Sequence, residues 1–345
     1  MKIRKKRKWL SLTMLAGAAL FALAACGGSD GQSADAGKND GGDTYTFKAS
    51  HVVQESHVWH KTAEKFGEEL EKLSDGRMKL DIYSASTLGL EQDMVQQLET
   101  GSIDFGFLTN AYMSTREVTL NSWFMPFLFS DLEDANKMRE SEETKQMLEE
   151  LGSQGLLGLD IAFAGNRHIL MKEGFIGSPE DLKGKKVRII GSPAMQSFWE
   201  KTGAGPTAMP LPEVYTSLQT GVIDGMDIDL DALVTEKYYE NAKYLTLTNQ
   251  MTFPTVVVMS QASFDKLSEE DQEIVKTAMK TAVDWGAQEA IAREKSNLEE
   301  LRKNGVEVQE LEDHSAFDGI AEEVRTQYAN ESEIIKSFIE TAQND

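Results

Sequence analysis

Apolar and polar positions alternate from Tyr45 to Val53, a period of two that predicts a strand with one buried face. From His57 to Leu73 the period lengthens: Trp59, Ala63, Phe66, Leu70 and Leu73 fall on one helical stripe, which Ser74-Asp75-Gly76 closes. Lys79–Ser84 reads as a strand, Glu91–Thr100 as a short amphipathic helix and Ile103–Thr109 as a third strand. Trp123-Phe124-Met125-Pro126-Phe127-Leu128-Phe129 is read as core packing under a loop. Asp131–Leu151 is predicted as one helix, and Gly155–Lys172 as strand, loop and strand. The alternation then resumes: a helical turn over Pro179–Gly184, a strand over Lys186–Ile190, and a helix over Ser192–Thr202 with Pro193 at its first position. Glu213–Thr220 is a helix, Gly225–Leu230 a strand, and Tyr244–Met259 two strand-like stretches that return the chain toward its first half. Ser268–Asn304 is the longest helical signal, opened by a capping-box-like Ser268-Glu269-Glu270-Asp271 and weakened only at Gly286. At about 1.5 Å per residue it reaches roughly 50 Å, so it kinks or crosses more than one lobe. Strand–helix alternation of this kind predicts a doubly wound α/β sheet.

One phrase occurs twice. Gln97-Leu98-Glu99-Thr100-Gly101-Ser102-Ile103-Asp104-Phe105-Gly106 recurs as Leu218-Gln219-Thr220-Gly221-Val222-Ile223-Asp224-Gly225. Each copy ends a helix on a Gly suited to a left-handed C-cap and starts a strand in which Ile turns inward and Asp outward. A duplicated helix–Gly–strand unit predicts two similar lobes with a cleft between them.

The N-terminus changes the picture of where this body works. Lys2, Arg4, Lys5, Lys6, Arg7 and Lys8 precede an apolar run from Leu10 to Leu23, the pattern of a secretory signal over residues 1–25. Leu23-Ala24-Ala25-Cys26 resembles the lipobox of bacterial lipoproteins, which implies that Cys26, the sole cysteine, is lipidated and becomes the mature N-terminus. Residues 26–43 are rich in Gly, Ser and Asp and read as a tether holding the body off a membrane. Cleavage before Cys26 leaves 320 of the 345 residues, enough for two domains, and takes the formal charge from −22 to −28. So acidic a body disfavours nucleic acid and anionic lipid surfaces as partners, and an anionic ligand can bind only where local cations outvote the global field.

Further motifs identify a family. His51…Ser56-His57, Leu88-Gly89, Pro126-Phe127-Leu128-Phe129, Asp181-Leu182-Lys183-Gly184-Lys185-Lys186-Val187-Arg188 and Glu213-Val214-Tyr215 leading into the second repeat fit one pattern. Over about residues 45–310 the chain resembles the substrate-binding proteins of tripartite ATP-independent periplasmic (TRAP) transporters, the DctP-like family. The resemblance implies a two-lobe, type II-like periplasmic-binding-protein fold with a ligand cleft between lobes and a long helix spanning both. Lobe I is expected over 44–164 plus about 253–290, and lobe II over 165–252 plus about 291–345. It implies a small organic acid anion as ligand, a TRAP permease as membrane partner, no cofactor, and a lipid-anchored monomer outside the cytoplasmic membrane. Arg188 is implied as the carboxylate-binding residue, a role that suits the paired N–H donors of a guanidinium. Arg167, in Gly165-Asn166-Arg167-His168, falls where many members carry a second cleft arginine, as ligand contact or as hinge ion pair. Asp227-Ile228 stands where members commonly have Glu-Asn, which puts the usual Asn contact in doubt and makes Asp227 and Asp229 candidate acceptors for ligand hydroxyls.

Position along the strands adds His51, Glu55 and His57 at the carboxyl end of the first strand and the start of the next helix, and Asn110 and Tyr112 after the third, since ligands of open α/β sheets sit beyond the carboxyl ends of strands. The surplus of carboxylates favours a sugar acid over a C4-dicarboxylate. Three rival readings stand beside it. A metal-binding lipoprotein would use His51, His57, His60 and Glu64, but zinc wants three or four converging ligands. For an enzyme, no Ser–His–Asp combination stands in a nucleophile-elbow context and no Gly-x-Gly-x-x-Gly phosphate loop occurs. A sensor presenting its closed form to a receptor shares the binding chemistry.

Overall fold

The computed structural model describes residues 42–344. The leader, Cys26 and nearly all of the tether lie outside the described residues. Nine strands form one sheet: β1 Tyr45–His51, β2 Met78–Tyr83, β3 Phe105–Thr109, β4 Leu156–Met171, β5 Lys186–Ile189, β6 Gly205–Ala208, β7 Gly225–Asp229, β8 Tyr244–Ser260 and β9 Glu307–Glu310. Their order is β2-β1-β3-β8-β4-β7-β5-β6, with β9 on the free edge of β8. Three parallel strands therefore lie at each end, β2-β1-β3 and β7-β5-β6. Between them β4 and β8 run antiparallel to each other and to β7 and β3.

The sheet is α/β as expected, with two antiparallel strands crossing between its parallel ends. β4 and β8 are single strands of 16 and 17 residues, where sequence suggested two broken stretches in each. The reason lies in three register shifts along β4, at Gly158/Asp160, Phe163/Gly165 and Arg167/Ile169. Bulges bend a strand without ending it. Pro254, which reads as a strand breaker, pairs with Phe163 beside one of these shifts. The predicted helix over Asp131–Leu151 is also corrected. It breaks at Ser141, whose side chain caps a new helix, Glu142–Glu150, by accepting from Thr144 N.

The two repeat units are superposable in chemistry. The helices Glu91–Thr100 and Leu211–Thr220 both end on Gly in the left-handed region, φ 71° at Gly101 and 77° at Gly221. Ile103 and Ile223 are buried. The Asp104 carboxylate accepts from Lys48 N, and that of Asp224 from Lys186 N, both at 2.8 Å. Each repeat thus pins its own central strand, β1 at its middle and β5 at its first residue. One apolar core runs under the first half of the sheet and the crossing, and a second cluster around Val214, Leu218, Met226 and Tyr238 lies under the second half.

The helix Glu269–Lys303 runs 35 residues without interruption, capped by Ser268 accepting from Asp271 N. Gly286, the weak spot of its sequence, is a packing requirement: a Cβ there would collide with the side chain of Thr62 on helix Val58–Leu73. The Trp123–Phe129 segment is core, as expected. Trp123 packs edge-on against Phe163 and against Phe338 of the last helix, Glu333–Asn344. Among the described residues no helix is long and apolar enough to cross a membrane.

Candidate functional site

Within the two three-stranded parallel ends, every strand but β2 ends at one place. The carboxyl ends of β1, β3, β5, β6 and β7 lead to Val52, Thr109, Ile190, Met209 and Asp229, which line a cavity of about 300 Å³. Arg167 of β4 and Phe253 of β8 close it at the crossing. The cavity is the crevice that a split α/β sheet leaves beyond its strand ends.

Arg188 sits near the end of β5 with 1 % of its surface exposed. Its Nε and Nη2 both donate to the Met209 carbonyl, at 3.1 and 2.9 Å. Nη1 is buried and has no partner among the described residues. Among the described residues no carboxylate lies within ion-pair distance of this guanidinium; burial is the main cause that pulls it down to about 10, with Arg167 adding repulsion against a weaker opposing pull from Asp227 and Asp229. An uncompensated buried cation is costly, and the missing counter-charge is the outstanding chemical feature of the cavity.

Arg167 has the opposite environment. Antiparallel register sets it directly across from Asp229, with Asp227 on the same face two residues on. Its Nε pairs with Asp227 Oδ1, its Nη1 with Asp229 Oδ2 at 2.9 Å, and its Nη2 donates to the Asp227 carbonyl. The guanidinium also lies 4.2 Å over the Phe253 ring, which in turn stacks on Trp59. Arg167 is thus an ion-pair centre of the strand crossing that also forms part of the cavity wall.

Of the other expected residues, Asp229 lines the cavity, and its Oδ1 caps the next helix by accepting from Ala232 N at 2.8 Å. Asp227 does not: it is fully buried behind the wall, where Arg167, Trp199 Nε1 and Gln250 Nε2 occupy its oxygens. His51 also turns away, its Nε2 at 2.9 Å from His60 Nδ1, and burial drives it down to about 3. Asn110 is buried and donates to Leu120 O, while Glu55 is exposed outside the cavity. His57 and Tyr112, named beside them, do line it, as does Ile228. The histidines do not converge for a metal. His60 faces Glu64, His57 faces Asp231, and among the described residues no three His, Cys, Asp or Glu gather into a site.

Sequence reasoning missed Trp59, Glu91, Thr109 and Phe253, all in the wall. Glu91 opens its helix and accepts from Thr109 N at 2.5 Å and Thr109 Oγ1 at 3.0 Å. Burial raises its carboxyl to about 7, against the pull of those hydrogen bonds and of Arg188. The signal for Thr109 was one residue away: the last residue of β3 faces the cavity, so Asn110 after it turns into the core.

The chain is similar to known proteins over most of its length. Residues 49–331 match a family model described as bacterial extracellular solute-binding protein, family 7. A solute-binding protein of Roseobacter denitrificans is 30 % identical over 306 residues, covering 86 % of this chain and 90 % of that one. The 2,3-diketo-L-gulonate-binding periplasmic protein of Escherichia coli is 29 % identical over 287 residues, 83 % of this chain and 88 % of its own. Among solved structures, a TRAP periplasmic solute-binding protein from Sulfitobacter with bound β-D-galacturonate superposes with a TM-score of 0.81. It is 28 % identical, and the match covers 87 % of this chain and all of that one.

Proposed function

The chain belongs to family 7 of the bacterial extracellular solute-binding proteins, those that serve TRAP transporters, and from that premise we propose that it captures a small organic acid and delivers it to a TRAP permease. The carrying observation is Arg188: buried in the cavity wall, charged, and without a carboxylate partner among the described residues. A ligand carboxylate supplies the counter-charge, and the planar fork accepts it in paired geometry. A sugar acid is the favoured ligand, since the Sulfitobacter and Escherichia coli relatives are described with such ligands. Arg167, held by Asp227 and Asp229, orients or supports the carboxylate, and Glu91, Thr109, His57 and Tyr112 face the remainder of the ligand. The protein is a binder and not an enzyme, works outside the cytoplasmic membrane, and is anchored there through lipidated Cys26. Its lobes are 44–164 with about 253–290, and 165–252 with about 291–345. The state the permease reads is the closed one, which the ligand stabilises by binding it better than the open one.

The direct test is a thermal-shift screen of organic acids, because a ligand that binds only the folded state raises its apparent stability. Hexuronates and aldonates are expected to raise Tm, and a screen in which no organic acid does so defeats the proposal.

Glu91 adds a pH signature. With its carboxyl at about 7, it is neutral below that pH and ionised above it, so binding of an anion takes up a proton. Affinity therefore falls as pH rises from 6 to 8, by at most about tenfold per unit for one linked proton. Titration calorimetry at three pH values checks this, and Glu91→Gln is expected to flatten the profile.

A further inference from the structure

Behind the cavity, one buried carboxylate joins three elements that the ligand site needs in register. Asp231 is the second residue of the helix Leu230–Thr235, which follows β7, and its side chain is 2 % exposed. Its Oδ2 accepts from Val58 N at 2.7 Å, the first residue of helix Val58–Leu73 on the opposite lobe. Its Oδ1 accepts from Arg293 Nη1 at 3.2 Å and Asn297 Nδ2 at 2.9 Å, both on the long helix. Arg293 Nη1 also donates to Ser56 O at 2.8 Å, just before the same helix start. His57 caps that helix through Nδ1, which accepts from Trp59 N, and so presents Nε2 to Asp231 at 3.7 Å.

The side chains on either side of this junction are cavity walls. His57 and Trp59 form one, Asp229 and Ala232 the other, whereas Asp231 itself does not line the cavity. We propose that Asp231 is a positioning residue that latches the two walls together, so that ligand affinity depends on a carboxylate no ligand touches. The physical basis is the N-terminus of a 16-residue helix, whose first N–H groups lack intrahelical partners and carry partial positive charge. When the walls part, Val58 N loses its charged acceptor, while Arg293 and Asn297 keep theirs on the lobe that Asp231 belongs to. Opening therefore forfeits a charge-assisted bond that closing restores. This rests on the reading of the cavity as the ligand site.

The test uses the full chain with Cys26→Ser and spin labels at Gln96→Cys and Gln219→Cys, exposed positions on the corresponding helices of the two lobes. Without ligand, Asp231→Ala is expected to move the interlabel distance distribution to longer values. Its affinity for D-galacturonate as probe is expected to weaken by about tenfold or more, the loss that follows when the binding-competent fraction falls by that factor. Asp231→Asn, which keeps an acceptor oxygen but not the charge, falls between, and it serves should the alanine variant fold poorly. An unchanged distance distribution overturns the latch, whether or not affinity changes, because Asp231 would then act on cavity shape alone. If the parent protein does not bind D-galacturonate, the choice of ligand fails, and the distances still decide the latch.

Discussion

Arg188→Met removes ligand binding and leaves the unliganded fold at least as stable as the parent. The first half follows from geometry. A guanidinium buried in the cavity wall, with one nitrogen unpartnered and no carboxylate within reach among the described residues, spends its charge only on what enters the cavity. Losing one partner of such a desolvated charge pair costs about 2–5 kcal/mol, roughly 30- to 5,000-fold in affinity. The second half follows from the burial that pulls Arg188 down to about 10. That shift marks a folded state that bears the cost of an unpaired cation, and methionine of similar length removes the charge while filling the space. Only the two bonds to the Met209 carbonyl are given up. Arg188→Lys keeps the charge but not the fork and is expected to recover part of the affinity. Thermal shift reads both halves in one experiment: unchanged or higher Tm without ligand, and no ligand-induced rise. A methionine variant that binds as the parent does would remove the carboxylate role from Arg188. One that melts well below the parent would make the residue structural.

Much of this was legible along the chain, for reasons that differ by residue. The helix Glu91–Thr100 was bounded correctly because Gly101 must sit at positive φ, a local constraint that leaves a local mark. The long helix was bounded by Ser268 and by the absence of Pro, again local signals. β4 and β8 were not legible as single strands, because their bulges and Pro254 look the same in sequence whether a strand bends or stops. At the site, Arg188 carried a motif and reached the cavity wall. His51 and Asn110 are expected there by proximity to strand ends, and Asp227 by the family resemblance, yet each turns aside. What diverts them is distant in sequence or sits on the next element: His60 for His51, the Leu120 carbonyl for Asn110, and Trp199, Gln250 and Arg167 for Asp227. Period-two alternation says which way a strand residue points, but it lapses where the strand turns into a helix, and ligand sites lie there.

Asp227→Ala is expected to be among the most destabilising single changes in the protein. Asp227 is fully buried and holds three donors from three elements: Arg167 on β4, Trp199 on helix Pro193–Lys201 and Gln250 on β8. Removing it leaves Arg167 buried with Asp229 as its one carboxylate, and strands two neutral donors. Breaking a buried ion pair from one side costs about 3–5 kcal/mol, because the surviving charge stays desolvated. At roughly 2 °C per kcal/mol for a body this large, Tm falls by about 6–10 °C. Asp227→Asn keeps the shape and an acceptor, so it should lose less, and the gap between the two variants measures the charge against the hydrogen bonds. Differential scanning fluorimetry with a urea titration checks both, and an Asp227→Ala protein within 2 °C of the parent would refute the assignment. Because Arg167 crosses from the ion-pair centre into the cavity wall, the same change should also weaken ligand binding, with apo stability and affinity falling together. Arg188→Met, by contrast, lowers affinity alone. That contrast separates the arginine that holds the crossing from the arginine that waits for a ligand.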